Sequence, residues 1–197
     1  MSQPIDIEFF FNFRSPYCYL ASKAVWDIFE DERVNLLWRP LGGWSGRSDP
    51  ERAKIKIPSV RQDIKRWTKK LGIPMTPPPI TTDPTHAGAA SLWAEREGKL
   101  KDFIVEVMRA EWGEGQDIGD LDVLRAVAGR IGLDGDGIVA AATDADNLAT
   151  LQRNAQEAQD KCVFGVPSFV IGDQIFWGND RLDFVREHLR ELYADNR

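Results

Sequence analysis

Histidine and cysteine are scarce in this 197-residue chain, with two of each at His86, His188, Cys18 and Cys162. Two cysteines cannot make a disulfide scaffold. The histidines lie far from each other and from both cysteines, so no set of residues has metal-ligand spacing. Cys162, on the segment before Pro167, reads as a buried, inert thiol. No apolar run approaches the ~20 residues that span a bilayer. Positive charge is in deficit: 25 Lys and Arg face 31 Asp and Glu, for a net charge of −6. The basic residues are scattered, which leaves nucleic-acid binding without an electrostatic footprint. The opening MSQPIDIEFFFNF lacks the basic segment of a secretion leader, and the expected compartment is the cytoplasm. Low-complexity tracts, fixed-period repeats, a phosphate loop and a G-x-S-x-G elbow are all missing. Gly132-Asp134-Asp136-Gly137 is a poor calcium loop, with Gly first and Thr143 where a bidentate Glu belongs.

What the chain does have is aromatic mass, seven Trp and ten Phe. Its 43% apolar and 28% charged content is that of a globular domain, or of one domain with a large insertion. Residues 5–12 read as a buried strand. Ser15-Pro16 then supplies an N-cap and a first helical residue for a helix running on through Ile28 and Phe29. A second strand, 34–39, stops at Pro40. After the Gly-rich stretch 41–47, Asp49-Pro50 opens a helix whose stripe is Ile57, Val60, Ile64, Trp67 and Leu71. Residues 73–79 cannot be regular, and helical patterns recur at 84–96, 99–112, 120–131 and 144–161 with Gly-rich breaks between. Strands return at 165–171 and 174–177 as a hairpin. A last helix carries Leu182, Phe184, Val185, Leu189 and Leu192 on one face. The order β-α-β, helices, β-β-α is a thioredoxin-like α/β fold with an all-helical domain inserted in its middle. The expected division is 1–40 with 162–197 for the first domain and 41–161 for the insertion.

Three places can carry chemistry. Ser15-Pro16-Tyr17-Cys18 stands at the strand-to-helix junction, where this topology usually holds C-x-x-C. Serine cannot form a disulfide, so dithiol exchange is excluded at the motif. A helix start with free N–H groups and a hydroxyl could instead hold another molecule's thiolate; the plainer role for Ser15 is a cap. Gly165-Val166-Pro167-Ser168 opens the third strand, where a cis proline is expected, leaving the Val166 N–H and C=O free for an extended peptide. Trp177-Gly178-Asn179-Asp180 offers N–H groups for a carboxylate and an acid for an ammonium, or else a simple cap at Asn179. A ligand with a thiolate, a peptide unit and an amino-acid end meets all three, and glutathione is such a ligand.

FFFNFRSPYCYLA at 9–21, KIKIPSVRQDIKRWTKKLGIP at 54–74, WGEG at 112–115 and VFGVPSFVIGDQIFWGNDRLDFV at 163–185 resemble the 2-hydroxychromene-2-carboxylate isomerase family. These are glutathione-dependent relatives of the kappa-class glutathione transferases. The resemblance implies that Ser15 is the catalytic serine holding the glutathione sulfur. It also implies that Val166, at cis Pro167, contacts glutathione together with Trp177, Gly178, Asn179 and Asp180, and that the protein is a homodimer. The implied reaction interconverts 2-hydroxychromene-2-carboxylate and trans-o-hydroxybenzylidenepyruvate, in bacterial breakdown of naphthalene-like aromatics. One departure stands out. The family's substrate-facing Lys and Asn are missing after the second strand, where Arg47, Arg52 or Lys54 would have to supply the cation. Trp44, Trp67 and Trp112 are candidate walls for an aryl substrate, or ordinary core residues. Competing readings are a kappa-type transferase or peroxidase, a non-catalytic thioredoxin-fold module and, more distantly, a disulfide oxidoreductase.

Overall fold

The computed structural model describes residues 3–43 and 50–195, and the side chains of 3–43 and 55–194. A four-stranded sheet has the order β2-β1-β3-β4. Strand β1 (Ile5–Phe11) pairs parallel with β2 (Val34–Pro40) and antiparallel with β3 (Ser168–Ile171), which pairs antiparallel with β4 (Gln174–Trp177). The parallel pair is bridged by two short helices, α1 (Pro16–Ala21) and α2 (Trp26–Phe29). Helices α3 (Pro50–Leu71), α4 (Thr85–Arg96), α5 (Leu100–Met108), α6 (Leu121–Arg130), α7 (Gly135–Thr143) and α8 (Ala145–Asp160) lie between β2 and β3 in the chain. A 3₁₀ turn, Asn179–Arg181, leads into α9 (Leu182–Asp195).

Alternation along β1 sends its side chains to two faces. Ile7, Phe9 and Phe11 enter the main core, while Phe10 packs on the other face with Leu41, Ala158 and Val170. Phe9 stacks on its cross-strand partner Phe169, with centroids 4.7 Å apart and planes within 9°. Phe11, Phe13 and Trp38 extend this ring cluster edge to face. The same buried cluster runs without a break into Phe103, Val107, Leu124 and Ile138 of the helices. Polar ties reinforce it: Trp38 Nε1 donates to Ser91 Oγ at 2.9 Å, and the Tyr19 hydroxyl to the Pro74 carbonyl at 2.9 Å.

The structure departs from the sequence reading at several elements. The expected single helix after Ser15 breaks between α1 and α2. There the Lys23 and Ala24 N–H groups bond three residues back, and the Ser22 carbonyl accepts the Trp26 indole N–H at 2.7 Å. Helix α7, hidden by Gly135 and Gly137, is nucleated by Asp134, whose carboxylate accepts the Asp136 and Gly137 N–H groups. The helix read as 99–112 changes pitch at Met108. Residues Arg109–Gly113 form a π-helical segment in which Glu114 N–H reaches back five residues to the Arg109 carbonyl. Strand β3 begins at Ser168 rather than Gly165, after the bend at the proline. On α9, Leu182, Val185 and Leu189 are buried but Phe184 is exposed. On α3, Ile64 is buried while Ile57 and Leu71 are exposed.

Candidate active site at the Ser15 junction

Ser15 leaves β1 in an extended conformation, φ −87° and ψ 120°, and caps α1. Its Oγ accepts the Cys18 N–H at 3.3 Å and donates to the Val166 carbonyl at 3.3 Å. One hydroxyl thus joins the α1 start to the proline loop. The Val166–Pro167 peptide is cis, as expected. Two expectations about open backbone groups are corrected. The Val166 carbonyl is not free, because Ser15 occupies it. The first turn of α1 also has fewer open donors than a generic helix start. Pro16 has none, Cys18 N–H goes to Ser15 Oγ, and Tyr19 N–H goes to the Ser15 carbonyl.

The 177–180 stretch is tied to the same loop. Gly178 N–H donates to the Pro167 carbonyl at 2.9 Å, so it is not one of the open donors expected there. Gly178 has φ +113°, and a Cβ there would collide with Asp180 Oδ1. Glycine is therefore required to bring the backbone and Asp180 to this position. Gly178, not Asn179, occupies the cap position, without a side-chain cap bond. The Trp177 indole lies on Gly165, whose Cβ would stand 2.5 Å from Nε1, and meets Phe164 at 4.6 Å between centroids. Both rings are open to solvent, Phe164 at 68% and Trp177 at 50%. Asp180 is half-exposed and paired with Arg181 at 2.6 Å.

Acidic groups converge on Tyr17. Its hydroxyl donates to Asp63 Oδ2 on α3 at 3.0 Å. Burial, then the Asp63 bond and charge, then the Asp180 charge push the Tyr17 hydroxyl up to about 12. Asp63 and Asp180 therefore give this corner negative character. Cys18 is fully buried behind Ser15, and burial pushes its thiol up to about 12 against hydrogen bonds from Asn12 and Ser15. It is no thiolate nucleophile at neutral pH.

A second charged pair, not foreseen from the sequence, flanks the junction. Arg14, the residue before Ser15, donates from Nη2 to the Pro79 carbonyl at 3.1 Å and lies over the Trp112 ring at 5.3 Å. Its Nη1 stands 3.6 Å from Glu111 Oε1 in the π-helical segment. Glu111 is 0% exposed, and neither of its carboxylate oxygens accepts a hydrogen bond. Leaving such a group unsatisfied costs on the order of 1–3 kcal/mol. Burial pushes the Glu111 carboxyl well above the ordinary carboxylate range; the Arg14 charge opposes this, Asp117 adds to it, and the nearby Trp112 indole opposes it.

Other candidates fall away from the junction. Trp112 is buried, its indole N–H bonded to the Phe13 carbonyl at 3.2 Å, and serves as a platform for Arg14. Trp67 is half-buried on α3 with Lys70 over its ring. Trp44 and Arg47, and the side chains of Arg52 and Lys54, lie outside the described residues. Cys162 is exposed, not buried, at the end of α8 with φ +59°. His86 bonds the Gly119 carbonyl and His188 lies beside Phe176. Among the described residues no group of His, Cys, Asp and Glu could hold a metal ion. A shallow cleft of about 390 Å³ between α2 and α9 is lined by Asp27, Asp31, Arg33, Arg186 and Tyr193, none of them at the junction. Its Arg33–Asp31 and Arg186–Asp27 pairs are already closed, at 2.6 and 2.8 Å.

Residues 6–190 match the DSBA-like thioredoxin domain. A 2-hydroxychromene-2-carboxylate isomerase of Sphingobium xenophagum is 31% identical over 192 residues, covering 93% of this chain and 97% of its own. Glutathione S-transferase kappa 1 of Caenorhabditis elegans is 24% identical, covering 94% and 91%. A solved 2-hydroxychromene-2-carboxylate isomerase superposes with a TM-score of 0.82 at 24% identity, covering 98% of each chain, and so shares the fold.

Proposed function

The chain belongs to the DSBA-like thioredoxin domain family and, within reach of its 31%-identical relative, to the 2-hydroxychromene-2-carboxylate isomerases, and from this we propose a glutathione-dependent cis–trans isomerase. Its substrate is 2-hydroxychromene-2-carboxylate or a related arylpyruvate precursor from aromatic-compound breakdown, and the product is the trans-benzylidenepyruvate. The observation that carries this reading is the placement of one hydroxyl, Ser15 Oγ, between the α1 start and the cis-proline loop.

The residues present fit glutathione. Ser15 supplies a donor where dithiol enzymes of this fold carry a nucleophilic cysteine. The backbone at Val166, before cis Pro167, suits a peptide unit. Beside Trp177, with the Gly178 N–H held by the Pro167 carbonyl, the glycine-dependent turn would offer a carboxylate the N–H groups of Asn179 and Asp180, and Asp180 with Asp63 suits an ammonium. Glutathione bound there would supply a thiolate for reversible nucleophilic catalysis at the conjugated double bond. The chain's part is to hold that sulfur as an anion. The Ser15 hydroxyl, which donates to the Val166 carbonyl here, would supply the sulfur with a charge-assisted hydrogen bond. Burial holds the Cys18 thiol up at about 12, which disfavours a part for it in thiol exchange. No helix among the described residues is long and apolar enough to cross a membrane. The reading places the enzyme in the cytoplasm as a homodimer.

The similarity to a kappa-class transferase supports a second reading, in which glutathione leaves as a conjugate. Turnover of 2-hydroxychromene-2-carboxylate, followed by absorbance with a count of remaining thiol, separates the two. Isomerisation that requires glutathione and leaves it unconsumed supports the isomerase. One thiol lost per product formed supports the transferase, and turnover without glutathione removes both.

A further inference from the structure

Glutathione, as placed above, makes no use of the Arg14–Glu111 pair, although Arg14 is the residue next to Ser15. The pair is not an ordinary structural salt bridge. A charged bond of that kind closes to about 2.8 Å and satisfies its partners. Here the separation is 3.6 Å, both Glu111 oxygens are without donors, and Arg14 Nε is buried without an acceptor. Buried polar groups are normally bonded, so an acid with no donor beside a guanidinium whose Nε has no acceptor requires a purpose. The acid also sits in a π-helical segment, a distortion found frequently at functional sites. The Arg14 side chain stays 15% exposed, with an indole face behind it and spare N–H donors.

A planar guanidinium on an aromatic platform matches a planar carboxylate on a flat aryl acid. We propose that Arg14 is the specificity-determining cation that takes the substrate's carboxylate beside Ser15, and that Glu111 and Trp112 are its positioning residues. The inference rests on the reading that the junction accepts an aryl carboxylate. It moves the cation expected in the loop after β2 to the residue preceding the serine. Burial favours a neutral Glu111, and a neutral Glu111 leaves the Arg14 charge uncompensated for an incoming anion. The charged and titratable groups facing Glu111 are Arg14 from the β1–α1 turn, Cys18 from α1 and Asp117 from the loop after the π-helical segment.

The test compares binding of trans-cinnamate and methyl cinnamate by calorimetry in the presence of S-methylglutathione, which cannot react. Wild type should prefer the acid by about tenfold or more, the range of one charge-assisted hydrogen bond. Arg14→Gln should bind acid and ester alike while keeping its affinity for S-methylglutathione. Arg14→Lys keeps the charge without the planar fork; it should retain part of the preference and guards against a glutamine variant that misfolds. The wild-type preference should fall as rising pH ionises Glu111, and that of Glu111→Gln should not. Equal binding of acid and ester by wild type, or an unchanged preference in Arg14→Gln, overturns the proposal. Loss of S-methylglutathione affinity in Arg14→Gln with cinnamate untouched also overturns it. Matching pH profiles for wild type and Glu111→Gln overturn the role of Glu111. An Arg14-dependent preference in a protein that does not isomerise hydroxychromenes keeps this inference and removes the isomerase reading. Isomerisation with no such preference does the reverse.

Discussion

Ser15 and Val166 are 151 positions apart in sequence, yet the Ser15 hydroxyl donates to the Val166 carbonyl at 3.3 Å. The same oxygen accepts the Cys18 N–H, so it carries two bonds that join the first half of the sheet unit to the second. Ser15→Ala removes both. Chemical denaturation should show a loss of about 1–2 kcal/mol, the cost of a cap and of an unpaired carbonyl. Turnover should fall more steeply, by about 100-fold, the usual effect of deleting one anion-stabilising donor. A stability loss without a loss of turnover would reduce Ser15 to a cap.

Gly178 should tolerate no side chain. With φ +113° and Asp180 Oδ1 where a Cβ would go, Gly178→Ala strains the backbone and displaces Asp180. Stability should drop by about 1–3 kcal/mol, and calorimetry should show weaker glutathione binding. Gly172→Ala is the control. It has φ +59° with nothing within 4 Å of a Cβ, so it should cost stability alone.

The two thiols should differ sharply. Burial holds Cys18 near 12, while Cys162 is exposed. Iodoacetamide at pH 8 followed by mass spectrometry should label Cys162 in the folded protein and reach Cys18 only after denaturant. Rapid labelling of Cys18 would contradict its burial.

Glu111 makes stability fall with rising pH. Its folded-state pKa lies above the unfolded value, so between the two the folded chain binds more protons than the unfolded one. Stability is then fully present below the unfolded pKa and is lost as pH climbs through the folded pKa. Glu111→Gln cannot ionise. It should raise the melting temperature at pH 8 relative to wild type and have a smaller effect, or the opposite one, at pH 4.

Local chemistry made much of the fold legible. The apolar, aromatic-rich strand at 5–12, the Ser15-Pro16 cap and the Gly172-Asp173 hairpin turn are short-range signals, and each stands where it was expected. Helix α7 escaped because two glycines masked a capping aspartate. The break at Ser22 escaped because it depends on an indole capturing a backbone carbonyl, which periodicity does not register. The site was half visible. Ser15, Pro167 and Gly178 follow from their neighbours, and the structure ties them together. Asp63 reaches Tyr17 from 46 residues away, and nothing local marks it. Nothing local marks Glu111 either; its burial arises from the π-helical turn and from the approach of Arg14, 97 residues earlier, neither of which a sequence window contains.

The central claim is that Ser15 holds the sulfur of glutathione as a thiolate. The most direct measurement is the ultraviolet thiolate absorbance of bound glutathione, titrated with pH in wild type and in Ser15→Ala, with S-methylglutathione as the blank. The account predicts that bound glutathione ionises below the pH at which the free tripeptide does. In Ser15→Ala the midpoint should return most of the way to that of the free thiol. The same midpoint in both proteins, or no shift on binding, would contradict it.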